Sequence, residues 1–267
     1  MSTSELLSTI RDEGRAALVG YLPVGFPDLA TSVNAARAMV EAGVDVVELG
    51  LPYSDPVMDG PVIQQAVEHA LAGGLRVTDT LRAVEAVAAT GAPVLVMTYW
   101  NPVLRYGVDR FARDLAQAGG TGLITPDLIP DEADEWLVAS DANDLDRVFL
   151  VAPSSTTERL ALTARSCRGF VYASSTMGVT GTRTDVGRDA GRLVRDTRRA
   201  GADLVCVGLG VSNGEQAAEV AGFADGVIVG SALVRALGAD PDGLVDLRRV
   251  TGELADGVRR QHKELDR

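Results

Sequence analysis

Eight short apolar runs rich in branched residues, each trailed by a longer alanine-rich amphipathic stretch, predict a (β/α)8 TIM barrel of the α/β class. The length of 267 residues suits eight such units. An open doubly wound sheet would usually stop at fewer strands and place a GxGxxG early, and the sequence does neither. No linker or low-complexity segment interrupts the alternation, so one domain is expected over residues 1–267, with an extra helix ahead of the first strand.

The elements follow in order. Ala16-Ala-Leu-Val-Gly20 predicts strand one over 16–20, and Asp28 is a candidate cap for a helix over 28–42. The valine-rich segment 44–49 predicts strand two, followed by amphipathic helices over 61–72 and 77–89. Pro93-Val-Leu-Val-Met-Thr98 predicts strand three, with a helix over 109–118. Strand four is expected over 122–125, preceded by Gly119-Gly120, and Asp131 is a candidate cap for a helix over 131–140. Branched and aromatic residues at 147–151 and 170–173 predict strands five and six, with helices over 157–165 and 187–200. Strands seven and eight are expected at 203–207 and 226–229, and Ser212 could cap a helix over 213–221.

Composition narrows the function. A formal net charge of −12 argues against nucleic acid or an anionic membrane as partner, so an anionic ligand must be held by local geometry. No apolar run is long enough to cross a bilayer and the N-terminus lacks signal-peptide character, which predicts a cytoplasmic protein. Cys167 and Cys206 have no metal-binding or CxxC spacing and read as packing residues. The chain's one lysine is Lys263, and its two histidines are His69 and His262. Imine catalysis from a core lysine and a histidine-rich metal site therefore lack their parts, no metal is expected, and acid–base chemistry falls to Asp, Glu or Tyr.

In this fold the active site gathers at the strand C-termini and the loops after them. Loops six, seven and eight carry Gly181, Gly210, Gly230 and Ser231, which predict a phosphate cradle of backbone N–H groups beside helix starts. Tyr21, Ile63, Met97, Tyr99, Ile124 and Tyr172 supply an apolar and aromatic rim, suited to a flat ring system with a phosphorylated tail. Glu48 closes a buried strand, where a carboxylate must be either used or paired with an arginine. Asp59, in Met-Asp-Gly-Pro, reads equally as a functional acid or as a turn residue.

Glu48-Leu-Gly-Leu-Pro-Tyr-Ser-Asp-Pro-Val-Met-Asp-Gly-Pro61, Met97-Thr-Tyr-Trp-Asn-Pro102, Thr125-Pro-Asp127, Gly178-Val-Thr-Gly181, Gly208-Leu-Gly210 and Gly230-Ser231 together resemble the tryptophan synthase α chain family. The resemblance implies cleavage of indole-3-glycerol phosphate to indole and glyceraldehyde 3-phosphate. It further implies an α2β2 tetramer with a tryptophan synthase β chain, which receives the indole and carries pyridoxal phosphate, with no cofactor in this chain. Carried onto this sequence, the resemblance makes Glu48 the acid/base group and Asp59 the residue that orients the indole. It places Thr180 and Gly181 in a closing loop and Gly210, Gly230 and Ser231 at the phosphate. Asp55, Pro56 and Asn101 would face the partner. Met58, Leu209 and Ala202-Asp203 depart from the family's usual residues, and Met58 adjoins Asp59.

Rival readings lack residues. A phosphosugar isomerase would want paired aspartates after strands one and five, where Tyr21 and Ala152-Pro153 stand, and an indole-glycerol-phosphate synthase would want a strand-end lysine. A free-standing indole-releasing lyase and a non-catalytic regulator of a β chain remain as alternatives.

Overall fold

The computed structural model describes residues 2–174, 183–208 and 210–260. Its strands are β1 (Ala17–Pro23), β2 (Val46–Gly50), β3 (Val94–Met97), β4 (Gly122–Thr125), β5 (Asp146–Val151), β6 (Val171–Ser174), β7 (Val205–Gly208) and β8 (Gly226–Val229). All pair in parallel in sequence order, and β8 closes on β1 to complete the expected barrel. The helices are α1 (Thr3–Asp12), α2 (Leu29–Glu41), α3 (Pro61–Ala72), α4 (Val77–Ala88), α5 (Trp100–Tyr106), α6 (Val108–Gln117), α7 (Asp134–Ala142), α8 (Thr157–Ser166), α9 (Arg183–Arg199), α10 (Gly214–Ala221), α11 (Ser231–Ala239) and α12 (Val245–Arg259).

Strand periodicity divides the core. Val46 faces inward with Ala17, Val19, Leu95, Ile124, Val148, Cys206 and Ile228, while Val47 and Leu49 face outward against the helices. Leu7 and Ile10 of α1 join the inner cluster beside residues at strand starts, so the extra N-terminal helix plugs the barrel floor. Its first turn is fixed by a capping box between Ser2 and Glu5. Its docking is fixed by Thr3 N–H donating to Asp146 at 3.2 Å and by the Arg11–Asp203 ion pair at 3.0 Å.

Some expectations need correction. Strand one runs on through Tyr21–Pro23 because its ladder with β2 continues, placing Tyr21 opposite Glu48 and Pro23 opposite Gly50. Asp28 caps its helix as expected, accepting from Thr31 N–H at 2.9 Å. Asp131 does not cap. Pro130–Glu132 form a 3-10 turn, α7 starts beyond it, and Asp131 pairs with Arg159. Asn213, not Ser212, caps α10 by accepting from Gln216 N–H at 3.0 Å. Cys206 is buried inside the barrel and Cys167 is half-buried; both are free, and burial pushes the Cys167 thiol up to about 12. His69 is exposed on α3, where its Nε2 meets the Pro27 carbonyl at 2.9 Å. Among the described residues no helix is long and apolar enough to cross a membrane, and no group of three His, Cys, Asp or Glu could hold a metal.

Candidate active site

The inward residues at the strand C-termini enclose a cavity of about 340 Å³ at the barrel mouth. Glu48 projects into it from β2, because Val46 and Glu48 share the inward face of that strand. The Glu48 side chain is 2% exposed, and its Oε2 has no hydrogen-bond partner among the described residues. Burial, and secondarily the nearby charge of Asp59, push its pKa up to about 8. At neutral pH this carboxyl is therefore mostly protonated, a state from which it can give up a proton.

Asp59 lines the same cavity from the loop between β2 and α3 and is half-buried. Burial raises its pKa too, while the Tyr99 hydroxyl acts in the opposite direction. The loop is held on both sides of Asp59: Met58 N–H donates to Tyr99 Oη at 2.9 Å, and Gln64 Nε2 donates to the Asp59 carbonyl at 2.9 Å. Met58 thus leaves the loop anchored and adds its own side chain to the cavity wall. Both acids face one space, which the sequence left open for Asp59.

Of the expected apolar rim, Tyr21, Ile63, Met97, Ile124 and Tyr172 line the cavity. Tyr99 does not. It is buried behind the Asp59 loop, packed against Tyr53 at 5.4 Å between ring centroids. The tyrosines fit because glycines on the following strands leave room: a Cβ at Gly50 would lie 2.4 Å from Tyr21 Oη, and one at Gly208 2.4 Å from Tyr172 Oη. Met58, Gly60, Pro126, Leu150, Ser174, Gly208 and Ile228 also line the cavity, a role the sequence reading gives to none of them. For Leu150 and Ile228 the usable signal is alternation along the expected strands, whereas Ser174 lies one residue beyond the expected end of strand six.

Gly210, Gly230 and Ser231 meet on one side of the cavity, where Gly230 precedes the first turn of α11 and Ser231 begins it. Gly210 has φ +67°, a left-handed conformation that favours glycine. The N–H groups at the start of α11 and the helix dipole make this side receptive to an anion. Gly181 and Thr180 lie outside the described residues.

The outer rim carries Asp55, Pro56 and Asn101. Asp55 and Asn101 are exposed and Pro56 half-buried; Ser54 donates to Asp55 at 2.6 Å and Asn101 to Tyr53 Oη at 3.2 Å. The segments after β2, β3 and β4 expose Val57 (83%), Met58 (47%), Leu104 of α5 (53%) and Ile129 (40%). Asp127 joins two of these loops by accepting from Trp100 N–H at 2.9 Å at the start of α5.

Comparison with known proteins identifies the family of the chain. The family model described as tryptophan synthase alpha chain matches residues 7–259. The tryptophan synthase alpha chain of Mycobacterium intracellulare is 63% identical over 256 residues, covering 96% of this chain and 94% of that one. That of Salinispora arenicola is 66% identical over 252 residues, covering 93% and 94%. A chain of Mycobacterium tuberculosis tryptophan synthase superimposes with a TM-score of 0.91 at 59% identity, covering 97% of this chain and 98% of that one. With the closed barrel and matches over nearly the whole length in agreement, the chain belongs to the tryptophan synthase α chain family.

Proposed function

We propose that Glu48 and Asp59 carry the reaction of this α chain, the retro-aldol cleavage of indole-3-glycerol phosphate to indole and glyceraldehyde 3-phosphate. The observation that carries the reading is Glu48 itself: a buried, mostly protonated carboxyl, one oxygen of which has no partner among the described residues, facing a cavity that also holds Asp59 and an anion-receptive helix start.

The chemistry needs an electron sink for the breaking C–C bond. Protonation of indole C3 makes the ring that sink, without an imine. Glu48 delivers this proton; the bond between C3 and the adjacent carbinol carbon breaks, and its electron pair restores the aromatic ring. The carbinol hydroxyl loses its proton, directly or through a shuttle to Glu48, and becomes the aldehyde. Asp59 accepts a hydrogen bond from the indole N–H and stabilises the positive charge that develops on protonation. Gly210, Gly230 and Ser231 hold the phosphate through backbone N–H groups, which suits a chain whose only lysine lies near its end at position 263. Met97 and Ile124 provide the apolar wall for the ring.

Asp55, Pro56 and Asn101, with the exposed apolar side chains around them, form the docking face for a β chain in an α2β2 assembly. Indole passes to that chain, where pyridoxal phosphate supplies the chemistry of tryptophan formation; the α chain itself needs no cofactor. Turnover of indole-3-glycerol phosphate, measured for the chain alone and titrated with its cognate β chain, tests both parts. Indole release that rises with β chain is expected. Absence of release in the presence of the β chain would refute the reaction, and full release without any gain from it would refute the partnership.

A further inference from the structure

The strand order around the mouth constrains how the substrate must lie. β1 stands between β8, whose C-terminal end supplies Gly230 of the phosphate side, and β2, which supplies Glu48. A molecule with its phosphate at α11 and its scissile bond at Glu48 has to carry its three-carbon chain across the top of β1. The inward residue there is Tyr21, in register with Glu48. Its ring spans the interval: a Cβ at Gly230 would lie 3.1 Å from Tyr21 Cδ1, and one at Gly50 would lie 2.4 Å from Tyr21 Oη. The apolar edge of the ring thus faces the phosphate side, and the hydroxyl lies against Gly50, two residues past Glu48 on β2.

We infer that the Tyr21 hydroxyl hydrogen-bonds the hydroxylated three-carbon chain of the substrate and turns its carbinol group toward Glu48, so that Tyr21 recognises the chain as well as walling the ring. This rests on the reaction proposed above. Burial, and then the charges of Asp59 and Glu48, hold the phenol well above its ordinary pKa, so it remains a neutral donor throughout the working range.

Tyr21→Phe removes the hydroxyl and keeps the ring. In the complex with the β chain, kcat/KM for indole-3-glycerol phosphate should fall by about three- to tenfold, the worth of one neutral hydrogen bond. The inhibition constant of 3-(indol-3-yl)propyl phosphate, which keeps ring and phosphate but lacks both chain hydroxyls, should not change, and neither should the thermal midpoint. An unchanged kcat/KM, or an equal loss for substrate and analogue, would overturn the inference, the second outcome marking a packing role alone. If the unsubstituted complex releases no indole, the reaction reading fails first and this inference with it. If the unsubstituted complex is active and Tyr21→Phe matches it, only this inference fails.

Discussion

Replacing Glu48 by glutamine separates what the carboxyl does for the reaction from what it does to the fold. In the unfolded chain this group ionises near its ordinary value of 4.5, whereas in the folded chain it is held up to about 8. Between those values the folded state binds the extra proton, so this group's contribution makes stability fall as pH rises. The contribution is intact below about pH 4.5 and lost progressively up to about pH 8. At pH 7 the separation is about 2.5 pH units, on the order of 3 kcal/mol at about 1.4 kcal/mol per unit. Glutamine keeps the shape and does not titrate. Urea unfolding at several pH values should therefore show the variant gaining on the wild type from pH 4.5 to 8, by on the order of 3 kcal/mol at neutral pH relative to the acid end. Any cost of burying the amide is independent of pH, so the slope is the diagnostic. Over the same range indole release should fall by about 10²–10⁴-fold, the usual contribution of a general acid. Parallel stability profiles would refute the account of a burdened buried acid, and near-full turnover by the folded variant would refute its catalytic role.

Asp59→Asn should lower kcat/KM by about 10²-fold, since it removes a charge aimed at the developing cation while leaving the Gln64 contact to the Asp59 carbonyl in place; steady-state kinetics would show it. Gly210→Ala forces an alanine to φ +67° and should cost about 1–2 kcal/mol in urea unfolding, together with weaker binding of inorganic phosphate. Val57→Asp puts a charge on the most exposed apolar side chain of the rim. It should weaken β chain binding by at least about tenfold in calorimetry, without altering the thermal midpoint of the isolated chain.

What could be read from sequence follows from how local each signal was. Strands four and eight were bounded correctly because β-branched or apolar runs stop at turn residues. β1 was cut short at Gly20, since Tyr21-Leu-Pro23 stays extended only through its ladder with β2. The caps at Asp131 and Ser212 failed for a related reason: a neighbouring residue, or a distant partner such as Arg159, won the competition for the group. Helix α5 was hidden because the carboxylate receiving its first N–H is Asp127, after the next strand. Within the site, Glu48 was legible as a carboxylate ending an apolar strand. The place of Tyr99 behind the Asp59 loop was not, because it depends on where a loop folds back.

The two ends of the barrel use the same side chains differently, and the difference lies in their partners. At the floor, buried Asp146 and Asp225 and half-buried Asp45 each receive a backbone N–H from another element: Asp45 from Leu18 at 2.9 Å, Asp146 from Thr3 at 3.2 Å and Asp225 from Val205 at 2.8 Å. Asp45 also meets Arg15 at 3.0 Å, and Asp225 meets Arg198 at 2.9 Å. These carboxylates tie strand starts together. At the mouth, Glu48 Oε2 meets no such group among the described residues, and its burial serves reactivity at the expense of the fold. The same chemical change should therefore act with opposite sign at Asp225 and at Glu48. Asp225→Asn, which removes a charge paired with Arg198, should destabilise the chain by about 1–3 kcal/mol at pH 7, with turnover per folded molecule unchanged. Glu48→Gln should raise stability between pH 4.5 and 8 relative to the acid end while abolishing most turnover. If Glu48→Gln fails to gain on the wild type from pH 4.5 to 8, or Asp225→Asn fails to lower the urea midpoint at pH 7, the division between a structural floor and a reactive mouth is wrong.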